Sequence, residues 1–416
     1  MSVTKSLLPL EEALKELKRF AQPGLGVERV DTFDLNTRVL REDVLSAVNV
    51  PPHDNSAMDG YAVRAEDVVQ SGAMLKVTQR IAAGMSGHPI GAGEAARIFT
   101  GAPIPEGATS VVIQEDTEIA GEDIIRVRSK ASVGQSIRLA GEDIAVGDLV
   151  LKSGLILSPA TLGLAASLGF KDLLVSIRPK VALFSTGDEL VMPGEVAPQD
   201  MRVGKIYNSN RFFLKALLNH AGCIVSDLGN IPDNREATTQ CLSKAAQDHD
   251  LILTSGGVSV GEEDHIKPSV QSLGELHQWS LAIKPGKPFA YGRIKSPQKA
   301  FGPFAHFMGL PGNPVSSYMT FLLLVKPFLA YLQGANEVRY RHIPMKANFD
   351  WLKADKRREF LRVRQNALGA LDLFPNQSSG VLTSVVWGDG VVDNPPENVI
   401  RSGDTVNYIA FESWNK

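Results

Sequence analysis

The segment 250-DLILTSGGVSVGEEDHIKP-268 joins a short apolar run to a glycine-rich turn and a group of acidic residues. The run at 251–253 predicts a buried strand, and Gly256 and Gly257 predict its end, because consecutive glycines disfavour a strand. Acidic residues at 262–264 then precede a predicted helix. A strand that ends in such a turn and leads into a helix exposes backbone N–H groups to an anion. The segment therefore predicts an α/β domain with an anion site, and its acidic residues indicate an accompanying cation.

The same alternation of strand-like and helix-like patterns runs from Pro179 to about Gly334. The predicted strands include VALFS, CIVSDLG, LILTS, SLAIKPG, PFAYGRI and FMGLPG. The predicted helices cover RFFLKALLNHA and the ranges 235–247 and 314–332. Such alternation favours a doubly wound, mostly parallel sheet with helices on both faces.

The rest of the chain predicts three further parts. An amphipathic helix is predicted at 9–20, and strand-like runs separated by Gly and Pro fill 53–147 before a helical pattern returns. After Tyr340 the pattern is β-like again, with strands predicted at SVVW and VNYIAF. We predict a helical N-terminal linker domain, a β-rich inserted domain, an α/β domain and a small all-β, barrel-like C-terminal domain. Their predicted ranges are 1–52 with 146–175, 53–145, 176–334 and 335–416.

The composition argues against several classes of protein. The net charge is −3, from 43 Lys and Arg against 46 Asp and Glu, which disfavours a nucleic-acid or membrane-surface partner. The strongly apolar run at 321–325 stops at Lys326 and is too short to cross a bilayer. Cys223 and Cys241 form no C-x-x-C pair, which is typical of a reducing compartment. We therefore predict a cytoplasmic protein.

Four loops follow predicted strands of the α/β domain, at 186–189, 232–234, 255–264 and 310–314. The carboxyl ends of parallel strands share one rim of a sheet, so these loops are expected to converge. Two of them supply glycine backbones suited to phosphate, and three supply carboxylates suited to a hard cation such as Mg²⁺. Lys284 and Lys287 add positive charge nearby. Together the loops predict a site for a phosphate and a cation.

Each of these signals has a plainer interpretation when it stands alone. A single S-G-G or P-G-N is usually only a turn, and D-E after a strand is usually a helix cap or a surface pair. The K-P-G-K segment alone is typical of a solvated loop. The joint occurrence on one predicted rim favours the site, and no zinc spacing, Walker loop or G-x-G-x-x-G motif competes with it.

With these residues the chain resembles the MoeA family of molybdopterin molybdenumtransferases, whose eukaryotic relatives include the gephyrin E domain. The resemblance covers nearly the whole chain. It is carried by eight segments in order: PPHDNSAMDGYAV (51–63), FTGAPIPEGA (99–108), RLAGEDIAVGDLV (138–150), FSTGDEL (184–190), YNSN (207–210), SGGVSVGEEDH (255–265), LAIKPGKP (281–288) and GLPGNPVS (309–316).

The resemblance implies a reaction and its participants. Adenylyl-molybdopterin and molybdate bind, the pyrophosphate linkage is hydrolysed, AMP leaves and molybdenum enters at the dithiolene. The family uses a divalent cation, commonly Mg²⁺, and forms a homodimer whose active site is shared between the two subunits. A molybdopterin adenylyltransferase and molybdoenzyme chaperones are further implied partners. The choice between molybdate and tungstate stays open.

The resemblance also implies the site residues. Asp59 is expected to be an essential carboxylate, against the alternative of a turn aspartate beside Gly60. The expected catalytic residues are Asp59, Thr100, Asp143, Glu189, Asp233 and Asp264. The expected metal ligands are Asp59, Asp143, Asp188, Glu189 and Asp264. The expected substrate-binding residues are Ser255, Gly256, Gly257, Ser259, Lys284, Lys287, Pro311, Gly312, Asn313 and Arg362.

Two features leave alternatives open. Ser280 stands where some members of the family carry a lysine, so one basic contact is in doubt. Arg362 lies in the basic KRREFLRVR segment, for which a solvated strand is an equal alternative.

The competing functions are a molybdopterin adenylyltransferase and a gephyrin-like scaffold. The first is disfavoured by the β-rich region with DNSAMDGYAV, and the second by the full set of acidic residues.

Overall fold

The structure is a computed structural model, and it describes residues 7–22, 24–232, 234–258, 265–296, 302–338 and 340–415. The chain forms two compact units. The α/β unit comprises the residues up to Glu42, Ser153–Pro159 and the residues from Asp172 onward. The β unit comprises Asp43–Lys152 and Ala160–Lys171. The division into four domains is finer than this partition and stays a prediction.

A six-stranded sheet forms the centre of the α/β unit and confirms the predicted doubly wound architecture. Its strands follow the order Ile224–Asn230, Lys180–Ser185, Leu251–Ser255, Phe304–Leu310, Pro288–Lys295 and Gly274–Ser280. The first four strands are parallel to one another, and Pro288–Lys295 is antiparallel to both of its neighbours. The sheet is therefore mixed but mostly parallel, and the quoted segment supplies one of its central strands.

Residues of the central strands alternate between two cores, because successive side chains of a strand point to opposite faces. Leu251 and Leu253 pack into one core with the N-terminal helix Leu10–Phe20, and Ile252 packs into the other with the helix Arg235–Asp248. Residues 181–184 and 251–253 are apolar without interruption because helices cover both faces of the sheet. The other helices of this unit are Asn210–His220, Ile266–Leu273, Pro314–Thr320, Lys326–Leu332 and Thr383–Trp387.

The predicted long apolar helix begins at Pro314 and ends at Leu332, with a π-helical segment at Phe321–Val325. Pro327 follows this segment, has no N–H group and cannot complete the α-helical bond to the carbonyl four residues earlier, which accounts for the local widening. By length and composition this helix could span a membrane, but 89% of its apolar window is buried inside the protein. Such burial is typical of a core helix.

The C-terminal residues build a second six-stranded sheet, which confirms a β-rich end of the chain. Its main strands are Ile283–Lys284, Arg358–Gln365, Gly390–Asn394, Thr405–Ala410 and Ile343–Lys346, and Leu371–Leu373 pairs with one of them. The two-residue strand Ile283–Lys284 comes from the predicted α/β domain and runs parallel to Arg358 and Glu359. This pairing brings Lys284 into the C-terminal sheet.

The prediction of a strand at SVVW was wrong, because these residues lie in the short helix Thr383–Trp387. β-Branched residues favour strands only where a pleated surface receives them. Here the Ser384 hydroxyl donates to the Val381 carbonyl at 2.7 Å, and Val385 packs into the core while Val386 is exposed. Local hydrogen bonding and one-sided burial therefore override the β propensity of this run.

The β unit contains the third six-stranded sheet, which confirms the β-rich region. Its strands follow the order Ser110–Ile113, Gly60–Val63, Glu94–Ile98, Ala73–Ile81, Ile124–Val127 and Thr117–Gly121. Shorter pairs are Asn55–Ser56 with Ile137–Arg138 and Val44–Leu45 with Leu149–Leu151. The helix Pro159–Ser167 follows, and Gly169 adopts φ 83°, as expected for a glycine after a helix end. In the α/β unit, Val27–Asp31 pairs with Asp172–Ser176.

Candidate functional site

A cleft of about 520 Å³ lies beyond the carboxyl ends of the parallel strands. All four loops that chain order places on this rim contribute to it. The lining residues are Thr186, Gly187, Asp188, Glu189, Ile231, Pro232, Gly256, Gly257, Val258, Pro311, Gly312 and Asn313, with others from neighbouring elements. A second depression of about 350 Å³ contains Ser255 and shares Thr186, Glu189, Gly312 and Asn313 with the first. The volume fits a ligand of cofactor size.

The glycine loop can take its shape only because it lacks side chains. Gly256 has φ 93°, and a Cβ atom there would lie 2.5 Å from the Thr186 Oγ1 atom. Gly257 has φ 70°, and its Cβ atom would lie 2.6 Å from Ile266 Cγ1. The Gly256 N–H donates to the Leu310 carbonyl at 3.0 Å, whereas within the described residues no protein acceptor is found for the Gly257 N–H. Gly257 is thus the better placed of the two to donate to a phosphate.

Asn210 connects the glycine loop at 255–257 to the loop at 310–314. The sequence analysis did not include it among the site residues. Its Nδ2 group donates to Ser255 Oγ at 2.8 Å and to the Gly312 carbonyl at 2.7 Å. The residue is 7% exposed and lies at the start of the helix Asn210–His220. The YNSN segment was the available signal, because an asparagine just inside a helix suggests a side chain with a partner elsewhere.

Among the described residues, the acidic side chains of this cleft are Asp188 and Glu189, which follow the strand Lys180–Ser185. Gly187 has φ 130°, and the Glu189 carboxylate occupies the space that a Cβ atom of Gly187 would fill. Among the residues that the structure describes, no group of three or more His, Cys, Asp or Glu side chains is close enough to hold a metal alone. Two carboxylates still suit Mg²⁺, which keeps several waters and often shares its coordination with substrate phosphates.

The two lysines of the IKPGKP segment have different surroundings. Lys284 Nζ lies 3.0 Å from Glu359 and 3.2 Å from Asp355. Partial burial disfavours its charge, but hydrogen bonds to Glu359 and Asp355 outweigh this effect and raise the pKa of Lys284. Lys287 lines another depression, of about 510 Å³, with Lys356 and Arg357. Lys284 is therefore already paired, and Lys287 shares its depression with these two cations and with Asp355. The contacts of both lysines with pyrophosphate stay predictions.

Arg362 is 1% exposed, which does not favour the predicted direct contact with substrate. Its guanidinium donates to the Phe360 carbonyl at 3.0 Å, to Ser384 Oγ at 3.2 Å and to the Ser378 carbonyl at 3.4 Å. Burial lowers the pKa of Arg362 to about 10. The arginine thus fixes the segment after Ser378, and Ser379 in turn accepts a hydrogen bond from Asn313 Nδ2 at 3.1 Å.

The Arg362→Ala variant is expected to lose on the order of 3 kcal/mol of stability, because it leaves a cavity and buried carbonyl acceptors without donors. The measurement is the urea midpoint of the transition that involves the C-terminal sheet. Arg364→Ala is the matched control, since Arg364 lies two residues further along the same strand and is exposed. An unchanged midpoint together with weaker substrate binding would instead favour the direct contact predicted from the sequence.

Asp59 and Thr100 form a hydrogen-bonded pair in the β unit. Asp59 Oδ1 accepts both the backbone N–H and the hydroxyl of Thr100, each at 2.8 Å. The Thr100 N–H, then its hydroxyl, hold the pKa of Asp59 below its usual range, and the charge of Arg97 acts in the same direction. Both side chains are exposed. The pair thus presents an ionised, oriented carboxylate that can bind a cation or accept a proton.

The remaining predicted residues are not all placed. Asp143 lies on an exposed turn of the β unit, where its N–H donates to the Val50 carbonyl, and its carboxylate makes no hydrogen bond to Asp59 or Thr100. Asp233, Ser259 and Asp264 lie outside the described residues. Their predicted roles, and that of Asp143, stay predictions.

Comparisons with known proteins cover the chain from near its beginning to near its end. Residues 8–169 match the family described as MoeA N-terminal region (domain I and II). Residues 182–331 match a probable molybdopterin binding domain, and residues 344–411 match the MoeA C-terminal region (domain IV). The three matches follow one another in the order that the sequence resemblance implies.

Two relatives and one crystal structure illustrate the similarity. The chain is 39% identical over 357 residues to a molybdopterin molybdenumtransferase of Haemophilus influenzae, covering 86% of this chain and 85% of that protein. It is 35% identical over 376 residues to molybdopterin molybdenumtransferase 2 of Mycobacterium tuberculosis, covering 87% and 89%. The crystal structure of the molybdopterin biosynthesis moeA protein from Pyrococcus horikoshii superimposes with a TM-score of 0.81 at 30% identity, covering 98% and 100%.

Proposed function

The chain belongs to the MoeA family of molybdopterin molybdenumtransferases, and we propose that it inserts molybdate into adenylyl-molybdopterin with release of AMP. In the proposed reaction water adds across the pyrophosphate linkage, one P–O bond breaks, and AMP and phosphorylated molybdopterin are the products. Molybdate is bound before this hydrolysis and then exchanges one oxygen for the two dithiolene sulfurs: two Mo–S bonds form, and the two thiol protons leave with that oxygen as water. The observation that carries the proposal is the rim cleft, in which glycine loops for phosphate lie beside Asp188 and Glu189.

The cleft supports binding of a phosphorylated ligand through its backbone. Gly257 presents an N–H group, and the helix that begins at Pro314 directs its N-terminus toward the loop 311–313. Helix N-termini and free backbone N–H groups stabilise phosphate charge. Because Asn210 bonds to both loops, their separation is held before substrate arrives. Preorganised donors of this kind need little reorganisation during the reaction.

The carboxylates need a cation before a pyrophosphate can approach them, because their charges repel. Asp188 and Glu189 fit Mg²⁺, and we propose Asp59, Asp143 and Asp264 as further ligands on the strength of the family resemblance. When bound, Mg²⁺ stabilises charge that develops on phosphoryl oxygens. Asp59 is ionised at neutral pH, since Thr100 lowers its pKa, and it can orient water or molybdate by accepting a hydrogen bond.

An adenylyltransferase activity is the alternative for the α/β unit alone. The matches to the MoeA N-terminal and C-terminal regions on either side of the probable molybdopterin binding domain favour the molybdenumtransferase. The discriminating experiment supplies purified protein with adenylyl-molybdopterin and Mg²⁺, with and without molybdate. We expect AMP release that depends on molybdate and a product that reconstitutes an apo-molybdoenzyme. In a parallel reaction with ATP and molybdopterin, consumption of ATP to adenylylate molybdopterin would favour the alternative. Absence of molybdate-dependent AMP release in the first reaction would contradict the proposal.

We propose a homodimer in which each active site combines Asp59 of one subunit with the glycine loop of the other. Heterodimers can test this arrangement with Asp59→Asn and Gly256→Ala. With one lesion on each subunit, one of the two sites stays intact, so about half of the wild-type activity is expected. With both lesions on one subunit, both sites are damaged and activity is lost. The reverse pattern would show that each site lies within a single subunit.

We also propose a cytoplasmic location, supported by two unpaired cysteines, which are typical of reducing compartments. A molybdopterin adenylyltransferase is the proposed supplier of substrate, because adenylyl-molybdopterin must be made by an adenylyl transfer. Molybdoenzyme chaperones are the proposed recipients of the finished cofactor.

A further inference from the structure

We propose that Arg97 is a positioning residue that holds the Asp59–Thr100 pair in its observed geometry. The inference rests on the proposed function for the importance of Asp59, and it adds a residue that neither the sequence motifs nor the predicted site contains. Arg97 lies in the strand Glu94–Ile98, directly opposite Tyr61 of the neighbouring strand. Its side chain is half-buried on the sheet of the β unit.

The guanidinium of Arg97 is bound to the backbone on the carboxyl side of Asp59. Arg97 Nη1 donates to the Gly60 carbonyl at 2.8 Å, and Nη2 donates to Gln114 Oε1 at 2.7 Å. The Gln114 N–H donates in turn to the Asp59 carbonyl at 3.1 Å. Arg97 therefore binds Gly60, which directly follows Asp59 in the chain. It also binds Gln114, whose N–H donates to the Asp59 carbonyl.

The same guanidinium packs against the segment that carries Thr100. Its carbon lies 5.1 Å from the ring centre of Tyr61 and 4.7 Å from that of Phe99, which directly precedes Thr100. Cation–π contacts and forked hydrogen bonds require the planar guanidinium, which lysine cannot reproduce. A single side chain thus contacts the neighbours of both members of the pair. Its charge also adds to the two Thr100 bonds in keeping the Asp59 pKa low.

A purely structural role for Arg97 makes a different prediction. Arg80 offers the comparison, because it lies opposite Arg97 on the next strand and packs over Phe99 at 4.6 Å. It is one strand further from Gly60. If cross-strand packing were the whole contribution, loss of either arginine would affect the protein alike. If Arg97 positions the pair, loss of Arg97 alone changes turnover.

The experiment compares Arg97→Met, Arg97→Lys and Arg80→Met with the full-length wild type. The readouts are kcat and KM for molybdate-dependent AMP release, the thermal unfolding midpoint, and amide hydrogen exchange of the segment 99–102. We expect Arg97→Met to lower kcat on the order of 10-fold with little change in KM, because misplaced catalytic groups slow the chemical step. Arg97→Lys should be intermediate. Arg80→Met should keep wild-type turnover.

Exchange in the segment 99–102 should be faster in both Arg97 variants and unchanged in Arg80→Met. Wild-type kcat in Arg97→Met, or an equal loss in Arg80→Met, would overturn the inference. If the wild-type protein releases no AMP, the proposed function fails, and exchange alone decides the positioning claim. Unchanged exchange in Arg97→Met would then reject it, and faster exchange confined to the Arg97 variants would uphold it.

Discussion

Asp59→Asn is expected to lower turnover by roughly 10²- to 10⁴-fold, the range typical of losing a group that accepts or orients a proton. The substitution keeps the shape of the side chain. An asparagine oxygen can still accept the N–H and the hydroxyl of Thr100, so the turn that carries the pair should persist. The negative charge is lost, and with it cation binding and proton acceptance. Molybdate-dependent AMP release under saturating substrate is the measurement.

Glu122→Gln is the matched control for Asp59→Asn. Glu122 is an exposed carboxylate in a turn of the same unit, so its loss changes the net charge equally. We expect this control to keep wild-type turnover, and both variants to keep the wild-type thermal unfolding midpoint. Wild-type turnover in Asp59→Asn would remove Asp59 from the site and leave the Asp59–Thr100 bond as an ordinary turn contact.

Gly256→Ala is expected to lower AMP release by roughly 100-fold, as misplacement of a binding loop by about 1 Å can do. The new Cβ atom would lie 2.5 Å from Thr186 Oγ1 and 2.9 Å from the Thr186 carbonyl oxygen. Thr186 donates its N–H to the Ser255 carbonyl at 3.1 Å, so the clash separates two loops that face the cleft. Steady-state kinetics should show the loss in kcat/KM.

Gly194→Ala separates this clash from ordinary backbone strain. Gly194 has the same φ of 93°, but nothing lies within 4 Å of its Cβ position. Both variants therefore carry the strain of a left-handed alanine, about 1–2 kcal/mol, and only Gly256→Ala displaces Thr186. Equal activity of the two variants would mean that the shape of the glycine loop does not limit the reaction.

The parallel strands of the α/β unit were predictable because their patterns are long and consistent. LILTS is buried at every position, and the structure packs its apolar residues alternately into two cores, as burial on both faces requires. The run SVVW is also rich in apolar residues, but it has only four positions. Its helix depends on Val385 packing into the core and on Ser384 bonding with Arg362, and neither contact can be deduced from a local pattern.

The candidate site was predictable where it follows from topology. Loops that follow parallel strands must share a rim, so the glycine loop and Asp188 could be placed together before any coordinates were known. The pairing of Lys284 with Glu359 could not be predicted. It depends on a two-residue strand that joins a sheet formed by residues much further along the chain. The same holds for Arg97, whose partners come from three separate strands or turns.

The coupling of molybdenum insertion to AMP release is the central claim, and a single-turnover experiment tests it most directly. Excess wild-type protein receives a limiting amount of adenylyl-molybdopterin with Mg²⁺ and molybdate. AMP is counted by chromatography, and protein-bound molybdenum in cofactor form is counted by mass spectrometry. The account predicts equal amounts of AMP and inserted molybdenum, and no AMP when molybdate is left out. AMP release without molybdate, or insertion without AMP, would contradict it.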